Sequence, residues 1–286
     1  MNKPYRVLIA GIGGVGGFYA ARLIAAYHNN RDYEITLLAR CDNKKAIETN
    51  GLQLLFNGET VTAHPHAVIE NPAEAGIFDL VLLCVKSYHL PETLALLQHN
   101  ISDETTILPL QNGVESHAVI QPVFPEAKLL TGCVYIVSKQ TKPGFIEVKG
   151  NINRLLFGNP DMAAAALKKI ETVFTGAGIN TEVYADIESK VCGKFTFISP
   201  VATYTSAYNI SLGEILKQPA HLDAFSLLMK EVIDVARKNN IQLPDDCFEK
   251  NMQFIQSLPP ATTSSMHADV VAGKQTEADT LTRFVI

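Results

Sequence analysis

Residues 6–17 read RVLIAGIGGVGG, and no other stretch so narrows what the chain can become. The apolar run 7–10 reads as a buried parallel strand. It ends at once in Gly11, Ile12, Gly13, Gly14, Val15 and Gly16, which fits G-x-G-x-x-G. Helical apolar spacing continues through Phe18, Ala21, Leu23, Ile24 and Ala25. In such a strand–turn–helix each glycine has its own task. Gly11 permits the tight turn, Gly13 leaves room for a pyrophosphate to approach the backbone, and Gly16 lets the helix close on the sheet. The helix N-terminus then offers N–H groups and a partial positive charge to the phosphates. The motif predicts a dinucleotide site; the plain alternative is a glycine-rich turn that binds nothing.

The next strand, predicted over 35–39, decides which dinucleotide. A strand that serves NAD usually ends in Asp or Glu, which hydrogen-bonds the ribose hydroxyls. Here Ala39 and Arg40 stand at that end, while Asp32 and Glu34 lie at the wrong edge, where the strand begins. Arg40 can stack on adenine and pair with a 2′-phosphate, and Lys44 and Lys45 come soon after it. The reading is NADP(H), against Arg40 as a solvated loop charge.

Further along, strand and helix patterns keep alternating: a short helix over 43–49, a hairpin over 52–68, a buried strand over 79–85, a helix opened by Pro91, and a strand over 105–110. The alternation implies a parallel sheet with right-handed crossovers. Residues 128–157 change pattern and predict an antiparallel or mixed extension of that sheet. A helix over 162–174 and a strand over 179–184 close the first domain. From Asp186 on, helical periodicity dominates over 187–208, 221–240 and 245–257, with a last segment from Thr276. The expected domains are 1–185 and 186–286.

The chain has 286 residues, enough for two domains, and a net charge of −5, which argues against general affinity for nucleic acid. No run reaches the eighteen or so apolar residues that span a bilayer, so no membrane partner is expected. The early apolar run is short and interrupted by glycines, so no signal peptide is expected. Five scattered cysteines without a C-x-x-C fit free thiols in a reducing compartment, and the expected location is cytoplasmic. His64-Pro65-His66 lacks a third ligand nearby and reads as a surface hairpin; no metal is expected.

A parallel sheet binds its ligand beyond the carboxyl ends of its strands. Lys86 and Asn112 come after two strands at that edge. Lys86 could meet a phosphate or ribose, or simply be solvated. Asn112, beside Gly113, could touch the nicotinamide ribose, orient substrate, or serve only the turn. In the helical half, Lys194 lies within VCGKFTFI, apolar on nearly every side. A partly buried lysine beside a carbonyl is a plausible acid; it could equally snorkel at the domain junction. Lys190, one turn earlier, is its decoy. Near the end, Thr262, Thr263, Ser264 and Ser265 precede a helix, which suits a carboxylate ligand or plain capping. Glu277 could hydrogen-bond a substrate hydroxyl and hold a lysine, or answer a helix dipole.

Taken together, Gly11 to Gly16, Arg40, Val85-Lys86, Asn112-Gly113, Lys194, Gly213-Glu214, Ser264-Ser265-Met266 with Asp269, and Thr276-Glu277-Ala278-Asp279 resemble the ketopantoate reductase (2-dehydropantoate 2-reductase) family over the whole chain. The resemblance implies an α/β fold: an N-terminal Rossmann-type dinucleotide-binding domain, then an all-α domain like that of 6-phosphogluconate dehydrogenase, with the active site in the cleft between. It implies NADPH-dependent reduction of 2-dehydropantoate to pantoate, in pantothenate and coenzyme A biosynthesis. Lys194 is then the proton donor, and Glu277 acts with it near cofactor and substrate. Asn112 contacts cofactor and substrate, and Ser265 and Thr262 bind substrate. Gly11 to Gly16, Arg40 and Lys86 hold NADP(H). Two positions where the family often has substrate-binding asparagines, one and two turns after the lysine, carry Ile198 and Ala202, and Thr262 stands where another asparagine is common. The chain stops at Ile286, within what the resemblance implies is the last helix. A reductase of another small 2-keto acid and a non-catalytic NADP(H) sensor are the rival functions. The substrate is a small molecule, and the chain could pair as a homodimer.

Overall fold

The computed structural model describes residues 3–73 and 75–285; Ile286 lies outside them. The chain divides into two compact units. One holds the chain up to Gln111 together with Ser116–Ile187; the other holds Asn112–Glu115 and the chain from Glu188 on.

The first unit runs β1 (Tyr5–Ala10), α1 (Gly14–Tyr27), β2 (Tyr33–Leu38), α2 (Cys41–Asn50), β3 (Leu52–Phe56), β4 (Glu59–Ala63), β5 (Ala67–Ile69), β6 (Leu80–Leu83), α3 (Leu90–Leu96), β7 (Thr106–Pro109), α4 (Ser116–Ile120), β8 (Lys128–Leu129), β9 (Thr131–Lys142), β10 (Phe145–Gly158), α5 (Ala164–Gly176) and β11 (Asn180–Val183). Six strands form a sheet in the order β5-β2-β1-β6-β7-β8, every neighbouring pair parallel. Order reverses at β1, flanked by β2 and β6, which makes the carboxyl end of β1 the natural ligand edge. Both faces are buried, as a parallel sheet requires. Val7, Ile9, Leu80 and Leu82 enter one apolar core, and Leu8, Ala10, Val81 and Leu83 enter another with Leu90, Leu94 and Ile120.

The expected extension of this sheet by residues 128–157 is corrected by the structure. Only β8 joins its edge. The long strands β9 and β10 pair antiparallel and build a second sheet, β11-β10-β3-β4 with β9 on β10. The predicted hairpin over 52–68 likewise ends early. Strand β4 stops at Ala63, and after His64-Pro65-His66 the chain returns to the first sheet as β5, parallel to β2. Pro65 has no N–H for a ladder, and His66 Nδ1 accepts from Ile35 N at 3.1 Å, steering the chain onto β2.

Helix α1 lies between the two sheets and packs on both. Its buried residues, Gly16 to Ala21 with Leu23 and Ile24, therefore run round the helix rather than along one stripe. Gly16 faces the first sheet, where an added Cβ would overlap the Gly11 carbonyl. Gly14 and Gly17 face the second, against the Ser138 carbonyl and the Ile146 side chain.

The second unit is helical: α6 (Ile187–Tyr208), α7 (Leu212–Lys217), α8 (Pro219–Lys238), α9 (Cys247–Ser257), α10 (Ser265–Val271) and α11 (Ala278–Leu281). Two faces of α6 serve two apolar clusters: Val201 and Tyr204 pack with Phe225, Met229 and Ile255, while Phe195 and Ala202 pack with Val232, Met266 and Leu281. Short α7 is an addition to the helices read from periodicity, although Ser211 and Glu214 spell its capping box and bond reciprocally. Among the described residues, no helix is long and apolar enough to cross a membrane.

Tyr19 and Cys84 sit within the core of the first unit, and burial pushes both acid groups well above their usual values of 10.0 and 9.0. Above pH 9 the unfolded chain sheds these protons while the folded chain keeps them, so stability falls as pH rises. The melting temperature is expected to decline steadily above pH 9, and Cys84→Ala should flatten the first part of that decline. An unchanged profile would contradict this assignment.

Candidate active site

Two groups of residues, one in each unit, carry the candidate chemistry. In the first unit, β1 ends at Ala10 and the chain turns at Gly11, whose φ of +96° suits glycine alone. A Cβ there would also lie 2.6 Å from Val85 N. Helix α1 starts at Gly14 with Gly13 as a cap that has no side-chain bond. No described atom lies within 4 Å of where a Gly13 Cβ would be, so this face of the turn is open. An open glycine at the positive end of a fourteen-residue helix fits a pyrophosphate.

Beside the turn opens a cleft of about 200 Å³, lined among others by Gly11, Ile12, Arg40, Asn43, Val85 and His89. Arg40 is the N-cap residue of α2 and is partly exposed; its Nη1 lies 3.1 Å from Glu92 Oε1, on α3. Glu34, at the far end of β2, is occupied by Arg6 at 3.1 Å. Lys86, half-buried, precedes a short 3₁₀ turn, Ser87–His89, at the carboxyl edge. Asn43 is a residue that sequence reasoning misses. Its Nδ2 donates to Ile12 O at 2.9 Å, and its Oδ1 accepts from Gln140 Nε2 at 2.7 Å and Gly144 N at 2.8 Å. It pins the glycine turn to the second sheet. Only its place three residues after Arg40 could have drawn notice.

In the second unit, Lys194 lies half-buried on α6, and its Nζ donates to Asn112 Oδ1 at 3.0 Å. Lys190 is exposed. The structure thus joins two residues 82 positions apart and separates the lysine from its decoy. The loop carrying Asn112 is fixed from α11: Thr280 Oγ1 donates to Glu115 Oε1, and Gly113 lies against the Thr280 methyl. Gly113, with φ +110°, makes the turn, while Asn112 has no positive φ. The left-handed conformation that favours asparagine in turns is therefore not used at Asn112.

Glu277 precedes α11 and is 5% exposed. Of the hydroxyls near α10, Ser264 is the cap: its Oγ accepts from His267 N at 2.9 Å and meets Thr205 Oγ1 at 3.0 Å. Ser265 is exposed at the first helical position, and the Thr262 carbonyl accepts from Leu212 N at 2.9 Å. Ile198 and Ala202 lie in the apolar cluster with Phe195 and Met266.

A family model described as ketopantoate reductase PanE/ApbA matches residues 7–161, and its C-terminal counterpart matches residues 186–286. The chain belongs to the ketopantoate reductase family. A 2-dehydropantoate 2-reductase of Aquifex aeolicus (strain VF5) is 27% identical over 291 residues, covering 98% of this chain and 89% of the relative. The crystal structure of 2-dehydropantoate 2-reductase from Porphyromonas gingivalis W83 shares 29% identity with a TM-score of 0.83, over 97% of this chain and 94% of that one. A ternary structure of D-mandelate dehydrogenase with NADH and anilino(oxo)acetate has the same fold, with a TM-score of 0.86 at 22% identity, over 98% of this chain and 90% of that one. Ketopantoate reductases are oxidoreductases that bind a nicotinamide dinucleotide, which agrees with the Rossmann-type first unit and helical second unit.

The two glycines of the turn should separate stability from binding. Gly16→Ala drives a methyl into backbone and should cost about 1–3 kcal/mol in thermal unfolding. Gly13→Ala meets open space and should leave stability within about 0.5 kcal/mol, yet weaken binding of a reduced nicotinamide dinucleotide in a fluorescence titration. Equal effects on melting would contradict this geometry.

Proposed function

We propose that this chain reduces 2-dehydropantoate to pantoate with NADPH, the step that serves pantothenate and coenzyme A synthesis. The observation that carries the reading is the Lys194–Asn112 hydrogen bond of 3.0 Å in a half-buried setting. A nicotinamide, when bound, supplies the hydride for the keto carbon. Lys194 supplies the proton. Its ammonium hydrogen-bonds the carbonyl oxygen, draws charge onto it, and transfers a proton as the alkoxide develops. Asn112 accepts one N–H of the ammonium and so directs the others. Glu277, a buried carboxylate, acts with the lysine, and Ser265 and Thr262 hold the carboxylate end of the substrate. Arg40 and Lys86 hold the phosphates of NADP(H), with the glycine turn at the pyrophosphate.

A second reading, reduction of a different small 2-keto acid, is favoured by one observation. The positions one and two turns beyond Lys194, Ile198 and Ala202, offer no hydrogen bond from their side chains and lie in an apolar cluster.

Loss of NADPH absorbance with 2-dehydropantoate, pyruvate and 2-ketoisovalerate, offered separately, tests the proposal. Preference for 2-dehydropantoate is expected, and preference for another acid would select the second reading. Lys194→Ala should lower kcat by about 10²–10⁴-fold while NADPH affinity holds. Near-normal turnover in that variant would remove Lys194 from its role, and NADPH binding with no turnover of any acid would favour a sensor.

A further inference from the structure

Strand β2 is followed by Ala39 and Arg40, with no acid at its carboxyl end. The fold brings an acid to that place from a different element. Glu92, in the first turn of α3, sets Oε1 3.1 Å from Arg40 Nη1, and its Oε2 lies 3.6 Å from His89 Nδ1. Arg40 and His89 both line the cleft beside the glycine turn. One carboxylate therefore stands at the cleft rim, against the very guanidinium that would read a 2′-phosphate.

The chemistry of two adenosine ends differs sharply at such a rim. A phosphate monoester carries about −1.5 to −2 charges near pH 7. It must take Arg40 from Glu92 and then endure the carboxylate beside it. A ribose bearing only hydroxyls is neutral, and its 2′- and 3′-hydroxyls can donate to a carboxylate, the service that an acid at the strand end usually gives. The Arg40–Glu92 pair is solvent-exposed, with side chains 42% and 56% accessible. Exposed pairs are weak and open readily, so Glu92 does not bar a phosphate; it sets a ratio.

We propose that Glu92 is a selectivity residue for the cofactor. Acting on Arg40, it lowers the preference for the 2′-phosphorylated dinucleotide and lets the same cleft accept NADH. The proposal rests on the reading that this cleft takes the adenosine end of a nicotinamide dinucleotide.

Calorimetric titration of the full chain with adenosine 2′,5′-bisphosphate and with adenosine 5′-monophosphate tests it without nicotinamide and without turnover. The two probes differ only in the 2′-phosphate. The wild-type chain should favour the bisphosphate by less than about tenfold, and Glu92→Gln should widen that ratio by about tenfold, mainly through tighter bisphosphate binding. Glu92→Ser, which removes the charge by truncation, should do the same. In an Arg40→Met background, Glu92→Gln should change the ratio less than it does in the wild-type chain, because the competition for the guanidinium is gone and only the direct effect of the carboxylate on the probe remains. An unaltered ratio in both Glu92 variants, with the wild-type chain still binding the bisphosphate, overturns the proposal and leaves the cofactor reading standing. Binding of neither probe by the wild-type chain overturns both.

Discussion

At Gly16 the backbone of α1 comes so close to the Gly11 carbonyl that a single methyl would overlap it, and the first unit is built outward from that contact. A helix held this near a sheet must be small on that side. Because a second sheet covers its other side, it must be small there as well, and Gly14 and Gly17 supply that. The remaining surface of α1 is filled by Phe18, Tyr19, Leu23 and Ile24, each 1% exposed or less. The N-terminus of the helix is thereby fixed at the strand edge without any side-chain cap. A rigid set of backbone N–H groups loses little freedom on meeting an anion.

Much of this is legible in the sequence because it is local. A strand buried on both faces writes itself as an unbroken apolar run, and the glycine spacing after it announces a tight turn and a closely packed helix. The hydroxyl-rich stretch before α10 is legible only as two alternatives, and the Ser264 bond to His267 N chooses capping for that residue. The second sheet is not legible. Strand β10 pairs with β3 and β11 as well as β9, and such distant partners leave no mark on their own sequence. The break at Pro65 is in plain view, but the pattern on either side suits one strand. Residues that act across elements are the hardest to see. Asn43 and Glu92 are ordinary polar residues on helices until the fold brings them to the glycine turn and to Arg40.

The two candidate groups differ in how they are held. Around the glycine turn, position is set by backbone packing and by one asparagine with three hydrogen bonds. Around Lys194, position depends on side chains from separate elements. Asn112 accepts from the lysine, Thr280 of α11 holds Glu115, and Asn251 of α9 donates to Thr196 at 2.9 Å.

The four residues Asn112–Glu115 belong to the helical unit although both flanks belong to the other. The flanks are clasped by Ser116 Oγ and Gln111 Oε1 at 3.3 Å. The helical unit is thus written in two places in the gene. A recombination event that exchanged everything from Glu188 onward would carry Lys194 into a new chain and leave its acceptor behind. Lysine and asparagine can be inherited together only if the whole reading frame between them travels too.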